Sequence, residues 1–384
     1  MDTAYNVLAP GPVNLHPRVR EALALPMIHH RTPEFDKILN RVLSRLKSVF
    51  ATQQPVFILS ATGSGGMEAL LVNTMQAGDK VLAIDSGKFG ERWCEMVKVF
   101  GGIPLQHKVP WGQAVKVNDI EALLEKQKNI RIVLCQSCET STGVVHPIEK
   151  LGALISKYPD TLFLVDGITA LGAFPLPMDE WHIDGLVGGS QKAFMLPTGL
   201  TLFSFSQKAW QKIEQNPTPR FYFDVRKELS ANKNGETFFS SNVTLIRALD
   251  VVLDLIEENG IQFLYREIHN RAQFTRTFAQ RLGFTLYAEA PSDSLTALVV
   301  PSGIDGQKIR ARLEEKFKIT IMGGQDQAKG KIIRIGHMGY ISWTQMKDLI
   351  LKLGDILHEM NPSFCSSEQM LQLAQQMDAK IATL

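Results

Sequence analysis

A single lysine stands in a segment that is otherwise rich in glycine and small polar residues. Lys192 lies in the sequence GGSQKAFMLPTG, directly after the apolar run DGLVGG, and Asp166 ends the preceding apolar run, TLFLVD. Side chains at the carboxyl ends of parallel strands line the crevice in which open α/β sheets bind ligands. We therefore expect both side chains to face one crevice, although an aspartate by itself is also common in turns.

A lysine and an aspartate that share one crevice suit pyridoxal 5′-phosphate. The amine can form a Schiff base with the cofactor aldehyde, and the carboxylate can pair with the protonated pyridine nitrogen, which keeps the ring an electron sink. Loss of solvent lowers the pKa of a lysine and favours the neutral amine. Such an amine at position 192 can attack the aldehyde and later move a proton.

A glycine-rich turn supplies a candidate phosphate site. In LSATGSGGMEALLVN, an apolar run over 55–60 leads into Thr62, Gly63 and Ser64 before a segment of helical period. Backbone N–H groups at a helix start, with hydroxyls beside them, can hold a phosphate. The same pattern also caps helices. The nucleotide-binding sequence GxxxxGK[ST] is absent, so the turn is not a P-loop.

The elements that must position these residues lie between 55 and 205, where short apolar runs alternate with segments of helical period. The runs are PVFILS, KVLAI, IRIVLC, TLFLVD, DGLVGG and LTLFSFS, and the helical segments are 65–77, 89–101 and 147–158. This alternation is typical of βαβ units on a mostly parallel sheet with helices on both faces. Runs such as TLFLV lack polar alternation, as expected of strands buried on both faces.

The pattern changes after about residue 215. A long polar and aromatic segment precedes a helical stretch over 243–258, and loops of this length are usually functional or disordered. Later helical segments over 261–282, 305–316, 343–359 and 366–382 are interspersed with the runs SLTALVVP, KITIM and KIIRIG. We predict an N-terminal arm over 1–20, a large α/β domain over 21–258 and a smaller α+β domain over 259–384.

Composition and charge exclude several classes of function. The chain has 384 residues, 45% hydrophobic and 21% charged, with 41 Lys and Arg against 39 Asp and Glu and a net charge of +2. Without a run of like charges, neither nucleic acid nor a membrane surface is an expected partner. No apolar stretch reaches the roughly 20 residues of a membrane span, and the first residues do not resemble a signal peptide. We expect a cytoplasmic protein with small-molecule partners.

Four cysteines, Cys94, Cys135, Cys138 and Cys365, are too few for a disulfide framework in so long a chain. The sequence VLCQSCETSTG places Cys135 and Cys138 in a CxxC spacing, which occurs in metal sites and redox dithiols. A closed zinc or iron–sulfur site needs further ligands, and no second CxxC or HxxxH is present. We therefore expect no metal, and we interpret these cysteines as small core or loop residues.

Five motifs together carry a resemblance to a known family. GSQKA, FLVDGITALG, ETSTGV, PGPVNL and KIIRIG occur in the order found in the class V, fold-type I pyridoxal-phosphate aminotransferases. The chain is similar in particular to the alanine–glyoxylate and serine–pyruvate (serine–glyoxylate) aminotransferases, over roughly residues 6–360. The most specific motif is GGSQKAFMLPTG, because the lysine of SQK carries the cofactor in this family.

The resemblance implies a cofactor role for most of the residues described above. Lys192 would carry the cofactor and Asp166 would pair with its pyridine nitrogen. The positions that would contact its phosphate are Gln191, Thr62, Gly63 and Ser64. Phe89 in SGKFGERW matches the position that faces the cofactor ring, often a tryptophan in relatives, and either aromatic residue can stack. Thr140 of ETSTG matches the hydroxyl beside the ring oxygen.

A further match concerns the substrate. Arg334 of KIIRIG matches the arginine that binds the substrate α-carboxylate, a task that suits the forked guanidinium. An arginine inside so apolar a run is not expected on an exposed strand surface.

The chain departs from the family pattern before the helix at 243. Relatives show an aromatic residue and a threonine–proline that reach the phosphate in the neighbouring subunit, whereas this chain has GETFFSSNV. Ser240 would replace the threonine, and Thr237 stands where a tyrosine is expected. His29, His30 and Arg31 fall where the family's substrate pocket often begins, and we interpret them as solvated loop residues with a substrate contact as the alternative.

The resemblance implies transamination between a small amino acid, alanine or serine, and glyoxylate or pyruvate, in a homodimer. Lyases, kynureninase and cysteine desulfurases of the same fold are alternatives, but a desulfurase needs a nucleophilic cysteine on a mobile loop, and only Cys365 lies late in the chain. A redox or hydrogenase-type subunit that uses Cys135 and Cys138 is a further alternative. A non-catalytic binding protein is disfavoured because Lys192, Asp166 and Arg334 are all present.

Overall fold

The computed structural model describes residues 5–384, so the first four residues of the predicted N-terminal arm lie outside the described part of the chain. In chain order the strands are β1 (Asn6–Val7), β2 (Val56–Leu59), β3 (Lys80–Asp85), β4 (Ile103–Lys108), β5 (Ile130–Gln136), β6 (Cys138–Glu139), β7 (Val144–Val145), β8 (Leu162–Asp166), β9 (Gly185–Gly189), β10 (Thr201–Phe205), β11 (Thr285–Leu286), β12 (Leu295–Val299), β13 (Ile319–Thr320), β14 (Met322–Gly323) and β15 (Ile332–Gly336).

The α-helices are α1 (Pro17–Leu23), α2 (Pro33–Phe50), α3 (Gly63–Thr74), α4 (Lys88–Val99), α5 (Val117–Lys126), α6 (Ile148–Ile155), α7 (Gln207–Gln215), α8 (Val225–Asn232), α9 (Val243–Asn259), α10 (Ile261–Arg281), α11 (Gly306–Phe317), α12 (Trp343–Met360) and α13 (Ser367–Ile381). The long polar segment before α9 is therefore not wholly a loop, because it contains α8. Asp224 begins that helix by accepting a hydrogen bond from the Arg226 N–H.

The largest sheet has seven strands in the order β2-β10-β9-β8-β5-β3-β4. Its neighbouring strands are parallel except that β10 runs antiparallel to both β2 and β9. Alternate side chains of β5 pack into two different apolar clusters: Ile132 lies in the cluster that contains α3 and α4, and Val133 lies in the one that contains α2 and α6. The prediction of a mostly parallel sheet within an α/β fold is confirmed.

One strand of this sheet, β4, was not among the predicted runs. Its sequence, IPLQHK, contains only exposed and half-buried positions, because β4 lies at the sheet edge and pairs only with β3. An edge strand needs no continuous apolar run, since one of its sides lacks a neighbouring strand.

A second, antiparallel sheet follows, in the order β11-β12-β15-β14. The predicted run KITIM is divided in the structure: β13 pairs in parallel with β1 near the N-terminus, whereas β14 pairs with β15. Arg334 on β15 pairs with Ala297 on one side and Met322 on the other. This arginine therefore lies on a strand with a neighbour on each side.

The N-terminal segment crosses from this second sheet towards the first one. The Leu8 N–H donates to the Thr320 carbonyl at 2.9 Å, and the Gly336 N–H donates to the Leu8 carbonyl at 2.8 Å. A Cβ atom at Gly336 would lie 2.1 Å from the Ala9 carbonyl oxygen, so only glycine allows the two backbones to pass this closely. The path fixes Pro10 and Gly11 beside the crevice of the large sheet.

Candidate active site

Lys192 lies in the turn that directly follows β9. Ser190 closes this turn: its hydroxyl donates to the Pro197 carbonyl at 2.7 Å and accepts from the Leu200 N–H at 3.1 Å. The Lys192 side chain is 8% exposed, and its Nζ donates to the Pro10 carbonyl. The lysine is therefore a buried cation with a backbone oxygen as its hydrogen-bond acceptor.

The surroundings of Lys192 raise the neutral fraction of its amine above that of an ordinary lysine. Burial lowers its pKa to about 8, and the positive charge of Arg334 acts in the same direction. The negative charges of Cys138, when ionised, and of Asp166 oppose this lowering but do not outweigh it. This agrees with the expectation that a lysine at this position loses solvent and titrates below its usual range.

Asp166 lies at the carboxyl end of β8, and its Oδ1 accepts a hydrogen bond from the Ile168 N–H at 2.8 Å. Burial raises the pKa of this carboxyl to about 6, whereas the Ile168 N–H and the charges of Arg92 and Lys192 lower it. Asp166 and Lys192 thus act electrostatically on each other. The structure brings both to one crevice at the ends of adjacent parallel strands.

The predicted phosphate cup, Thr62, Gly63 and Ser64, forms the start of α3. Thr62 caps the helix through a hydrogen bond from the Gly65 N–H to its hydroxyl at 3.4 Å. A Cβ atom at Gly63 would lie 2.6 Å from Ile168 Cδ1, so the helix start packs closely on the residue that follows the Asp166 turn. The first N–H groups of a helix lack acceptors within the helix and can bind an anion.

Gln191 directly precedes Lys192 in the turn after β9. Its amide oxygen is buried and has no hydrogen-bond partner among the described residues. A Cβ atom added at Gly189 would lie 2.9 Å from the Gln191 amide oxygen and 3.2 Å from Ile168 Cγ2. The Gln191 amide therefore lies near the same Ile168 side chain on which the start of α3 packs. The amide is therefore not committed to a protein partner and can turn towards a ligand.

Phe89 and Thr140 both adjoin a buried carboxylate, Glu139, which precedes Thr140 in the chain and accepts a hydrogen bond from the Phe89 N–H. Glu139 accepts hydrogen bonds at 3.1 Å from the backbone N–H groups of Phe89, Gly90 and Ser141. Burial raises the pKa of Glu139 to about 7, although these hydrogen bonds oppose the shift. The glutamate was visible as the first residue of ETSTG, but its partners at the start of α4 are distant in sequence.

Thr140 makes two contacts through different atoms. Its hydroxyl lies 2.7 Å from the hydroxyl of Thr169, and its carbonyl oxygen accepts from Nη1 of Arg334 at 2.8 Å. Arg334 also donates from Nε to the Gly323 carbonyl at 3.0 Å. Within the described residues its Nη2 makes no hydrogen bond. Burial lowers the pKa of this guanidinium to about 10, with the charge of Glu139 opposing.

Several predicted positions are not brought to this group of residues. Ser240 is exposed, and Thr237 is buried with its hydroxyl donating to the Phe239 carbonyl at 2.7 Å. The rings of His29 and His30 are 4.4 Å apart between centroids, and Arg31 pairs with Glu236 at 2.9 Å. No hydrogen bond in the described chain joins any of these to the residues around Lys192, and a substrate contact from the histidines stays a prediction.

The four cysteines are free and buried. Burial raises the pKa of both Cys135 and Cys138, the latter to about 11. Across residues 5–384, no group of three or more His, Cys, Asp or Glu side chains is arranged to hold a metal ion. Over the same part of the chain, no helix has the length and apolar character required to cross a membrane.

Comparison with known proteins identifies what this arrangement resembles. The family model described as "Aminotransferase class-V" matches residues 19–345. A relative from Synechococcus named "Soluble hydrogenase, small subunit" is 34% identical, over 92% of this chain and 93% of the relative. The L-aspartate–glyoxylate aminotransferase of Paracoccus denitrificans is 36% identical, over 89% of this chain and 88% of the relative. The crystal structure of an alanine–glyoxylate aminotransferase from Nostoc superposes with a TM-score of 0.89 at 28% identity, over 93% of this chain and 96% of that one.

Proposed function

The chain belongs to the class-V aminotransferase family, and from this premise we propose that it transfers the amino group of a small amino acid, alanine or serine, to glyoxylate or pyruvate. The observation that carries the proposal is one buried amine, Lys192, that is grouped with a buried carboxylate and a buried guanidinium. Asp166 ends the strand adjacent to the one that precedes Lys192, Arg334 donates to the Thr140 carbonyl, and both charges act on the amine. The names of the Paracoccus and Nostoc relatives support glyoxylate as the acceptor.

Pyridoxal 5′-phosphate is the cofactor that the family implies, and the residues present fit its chemical groups. Lys192 Nζ would be its point of attachment, and Asp166 would face its pyridine nitrogen. The start of α3 suits a phosphate, because the first N–H groups of a helix lack acceptors within it. The Gln191 amide has a buried oxygen without a donor, and its NH2 group would be the part that faces the phosphate. When bound, this cofactor supplies an electron sink that acidifies the substrate α-carbon.

Lys192 acts as the base at the substrate α-carbon. With a pKa of about 8, about one amine in ten is neutral at pH 7, compared with about one in a few thousand for an ordinary lysine. The Pro10 carbonyl accepts a hydrogen bond from Nζ and so holds the amine in place. The hydrogen bond to Pro10 thus positions the amine, and burial increases the share of molecules in which it can accept a proton.

Arg334 binds the α-carboxylate that donor and acceptor share. The carbonyls of Gly323 and Thr140 engage Nε and one hydrogen of Nη1, which fixes the plane of the guanidinium. The free N–H groups on Nη1 and Nη2 then form a fork that matches a carboxylate. Because the guanidinium is only 7% exposed, little water competes with this contact.

A homodimer is the assembly that we propose, on the basis of an exposed aromatic cluster formed by Phe221, Tyr222, Phe238 and Phe239. Phe221 is 72% exposed, Phe238 is 40% exposed, and the ring of Phe239 stacks on Tyr222 with centroids 4.9 Å apart. The Tyr222 hydroxyl donates to the Ser60 carbonyl at 3.1 Å, so the cluster borders the start of α3. Exposed apolar patches of this kind typically mark protein interfaces.

A second copy of the chain that packs on this cluster would bring its own residues close to the phosphate cup. The resemblance implies that Ser240 is the residue that contacts the phosphate of the neighbouring subunit. The double variant Phe221→Ser and Phe238→Ser should be monomeric by sedimentation, whereas Phe263→Ser, which changes an equally exposed phenylalanine on α10, should not change the mass. An unchanged mass in the double variant would exclude this surface as the interface.

The activity is tested by amino transfer with defined substrates. Purified protein reconstituted with pyridoxal 5′-phosphate is incubated with alanine, serine or aspartate and with glyoxylate or pyruvate, and the product amino acid is quantified by chromatography. We expect turnover in the wild type and none in Lys192→Ala. Release of sulfide from cysteine without amino transfer would favour the desulfurase alternative instead. Bound iron without amino transfer would favour the redox alternative.

A further inference from the structure

Arg92 interacts with three residues of the proposed cofactor site: Phe89, Ser64 and Asp166. Arg92 lies one helical turn after Phe89 in α4, and its guanidinium carbon is 4.8 Å from the centroid of the Phe89 ring. Its Nη1 donates to the Ser64 hydroxyl at 2.9 Å. Its charge also acts on Asp166. No role for Arg92 follows from the motifs of the sequence analysis.

The charge of Arg92 is not paired directly with a carboxylate of the described chain. The side chain is half-buried, and no carboxylate in residues 5–384 forms an ion pair with it. Its neighbour Lys88, by contrast, pairs with both Glu91 and Asp326 at the outer side of the same helix. A partly buried cation without a partner is unfavourable unless an anion completes the site.

The start of α4 is held by a carboxylate from another element. Gly87 provides no side-chain cap, and Glu139 instead accepts the N–H groups of Phe89 and Gly90. Residues three apart on a helix lie on one face, so the Phe89 ring and the Arg92 guanidinium are presented together. The guanidinium then reaches across to Ser64 at the start of α3.

We propose that Arg92 is a positioning residue that serves as the counter-charge of the cofactor phosphate, acting through the Ser64 hydroxyl while it supports the Phe89 ring. The proposal rests on the proposed function, because it takes the α3 start as the phosphate site. The Ser64 hydroxyl accepts from Arg92, and its own proton is then directed outward as a donor to an anion. The hydrogen bond and the positive charge thus act on the same ligand group.

The test compares a ligand with and without the phosphate. Purified apoprotein is titrated with pyridoxal 5′-phosphate and, separately, with pyridoxal, and binding is followed by the quenching of tryptophan fluorescence. In Arg92→Gln we expect the dissociation constant for pyridoxal 5′-phosphate to rise about tenfold to a hundredfold, the value of one charge-assisted hydrogen bond. The constant for pyridoxal should change by less than about threefold.

Two further variants separate charge from geometry. Arg92→Lys keeps the charge and should retain most of the preference for the phosphorylated ligand. Arg266→Gln removes a similar arginine–phenylalanine contact, with Phe263 on the surface of α10, and should change neither constant. Melting temperatures of all variants show whether a loss of binding reflects a loss of folding.

A second measurement uses the pH dependence of the bound ligand. The Arg92 charge opposes the burial that raises the pKa of Asp166 to about 6. Removal of the charge should therefore move the acid limb of the bound-cofactor absorbance to higher pH, an effect that loss of structure alone does not produce.

The outcomes distinguish this inference from the proposed function. If Arg92→Gln weakens both ligands equally, Arg92 acts through the Phe89 ring, and the phosphate role is wrong. If neither constant changes, the inference is wrong although the proposed function stands. If the wild type itself binds pyridoxal 5′-phosphate no better than pyridoxal, the phosphate site and the inference fail together.

Discussion

Gly11 is the residue whose replacement tests the placement of Lys192 most directly. Its φ angle is +114°, and a Cβ atom there would lie 2.6 Å from Cδ, 2.8 Å from Nζ and 2.9 Å from Cε of Lys192. Contacts below 3.0 Å are not tolerated, so Gly11→Ala must displace the lysine. Because Lys192 is 8% exposed, the displaced side chain has little free space around it.

The size of the effect follows from two separate costs. A non-glycine residue at positive φ costs about 1–3 kcal/mol, and overpacking of a buried site costs about 1–3 kcal/mol more. Only the second cost concerns the lysine. Gly303→Ala is the matched control, since Gly303 also has a positive φ of +80° but no atom within 4 Å of the added methyl group.

The assay measures attachment of the cofactor rather than turnover alone. Each variant is saturated with pyridoxal 5′-phosphate and reduced with borohydride, and the fraction of Lys192 peptide that carries the label is quantified by mass spectrometry. We expect Gly11→Ala to lower the ratio of labelled to unlabelled Lys192 peptide about 5- to 150-fold relative to Gly303→Ala, the ratio that about 1–3 kcal/mol represents. Equal labelling of the two variants would show that Gly11 does not hold the lysine.

Three further predictions concern the charged residues of the site. Asp166→Ala should slow removal of the substrate α-proton by about two to three orders of magnitude, measured as exchange of the α-hydrogen into deuterated water, and near-normal exchange would refute its assignment. Arg334→Lys should lower kcat/KM, and Arg334→Ala should lower it further, by about 30-fold to several thousand-fold, because a desolvated bidentate contact is worth about 2–5 kcal/mol. The cofactor absorbance should not change in either variant, and a loss of cofactor binding would contradict the carboxylate role. The rate of cofactor attachment should rise with pH and reach half its maximum near pH 8. The reason is that burial lowers the pKa of Lys192 to about 8 and the neutral amine is the reactive form. A midpoint near pH 10.5 would contradict the buried placement of Lys192.

The sequence predicted those parts of the fold and site that depend on local pattern. Buried parallel strands such as β8 and β9 are continuous apolar runs; Asp166 ends the first and Lys192 follows the second by three residues. Both therefore fall at the carboxyl ends of the strands, where open α/β sheets generally bind ligands. Asp166 and Lys192 could therefore be placed without knowledge of the tertiary structure. The edge strand β4 could not, because its exposure removes the apolar signal.

Residues whose role depends on a distant partner were not visible in the sequence. Glu139 accepts N–H groups from the start of α4, and Arg92 reaches Ser64 on α3, so neither contact leaves a pattern within its own segment. The position of Gly11 against Lys192 likewise depends on the path of the N-terminal segment along the second sheet. The domain boundaries after residues 20 and 258, and the role of Ser240 towards a neighbouring subunit, remain predictions.

The charges around the crevice indicate how many anionic groups the site accepts. Lys192, Arg92 and Arg334 form no ion pairs with carboxylates in the described chain, whereas burial raises the pKa of Asp166 to about 6 and of Glu139 to about 7. The two unpaired guanidinium groups lie at different places, since Arg92 contacts the start of α3 and Arg334 contacts the Thr140 carbonyl. A ligand with one anionic group can satisfy only one of them. A phosphate at the first place and a carboxylate at the second satisfy both, which is the pair of charges that a phosphorylated cofactor and an amino acid bring together.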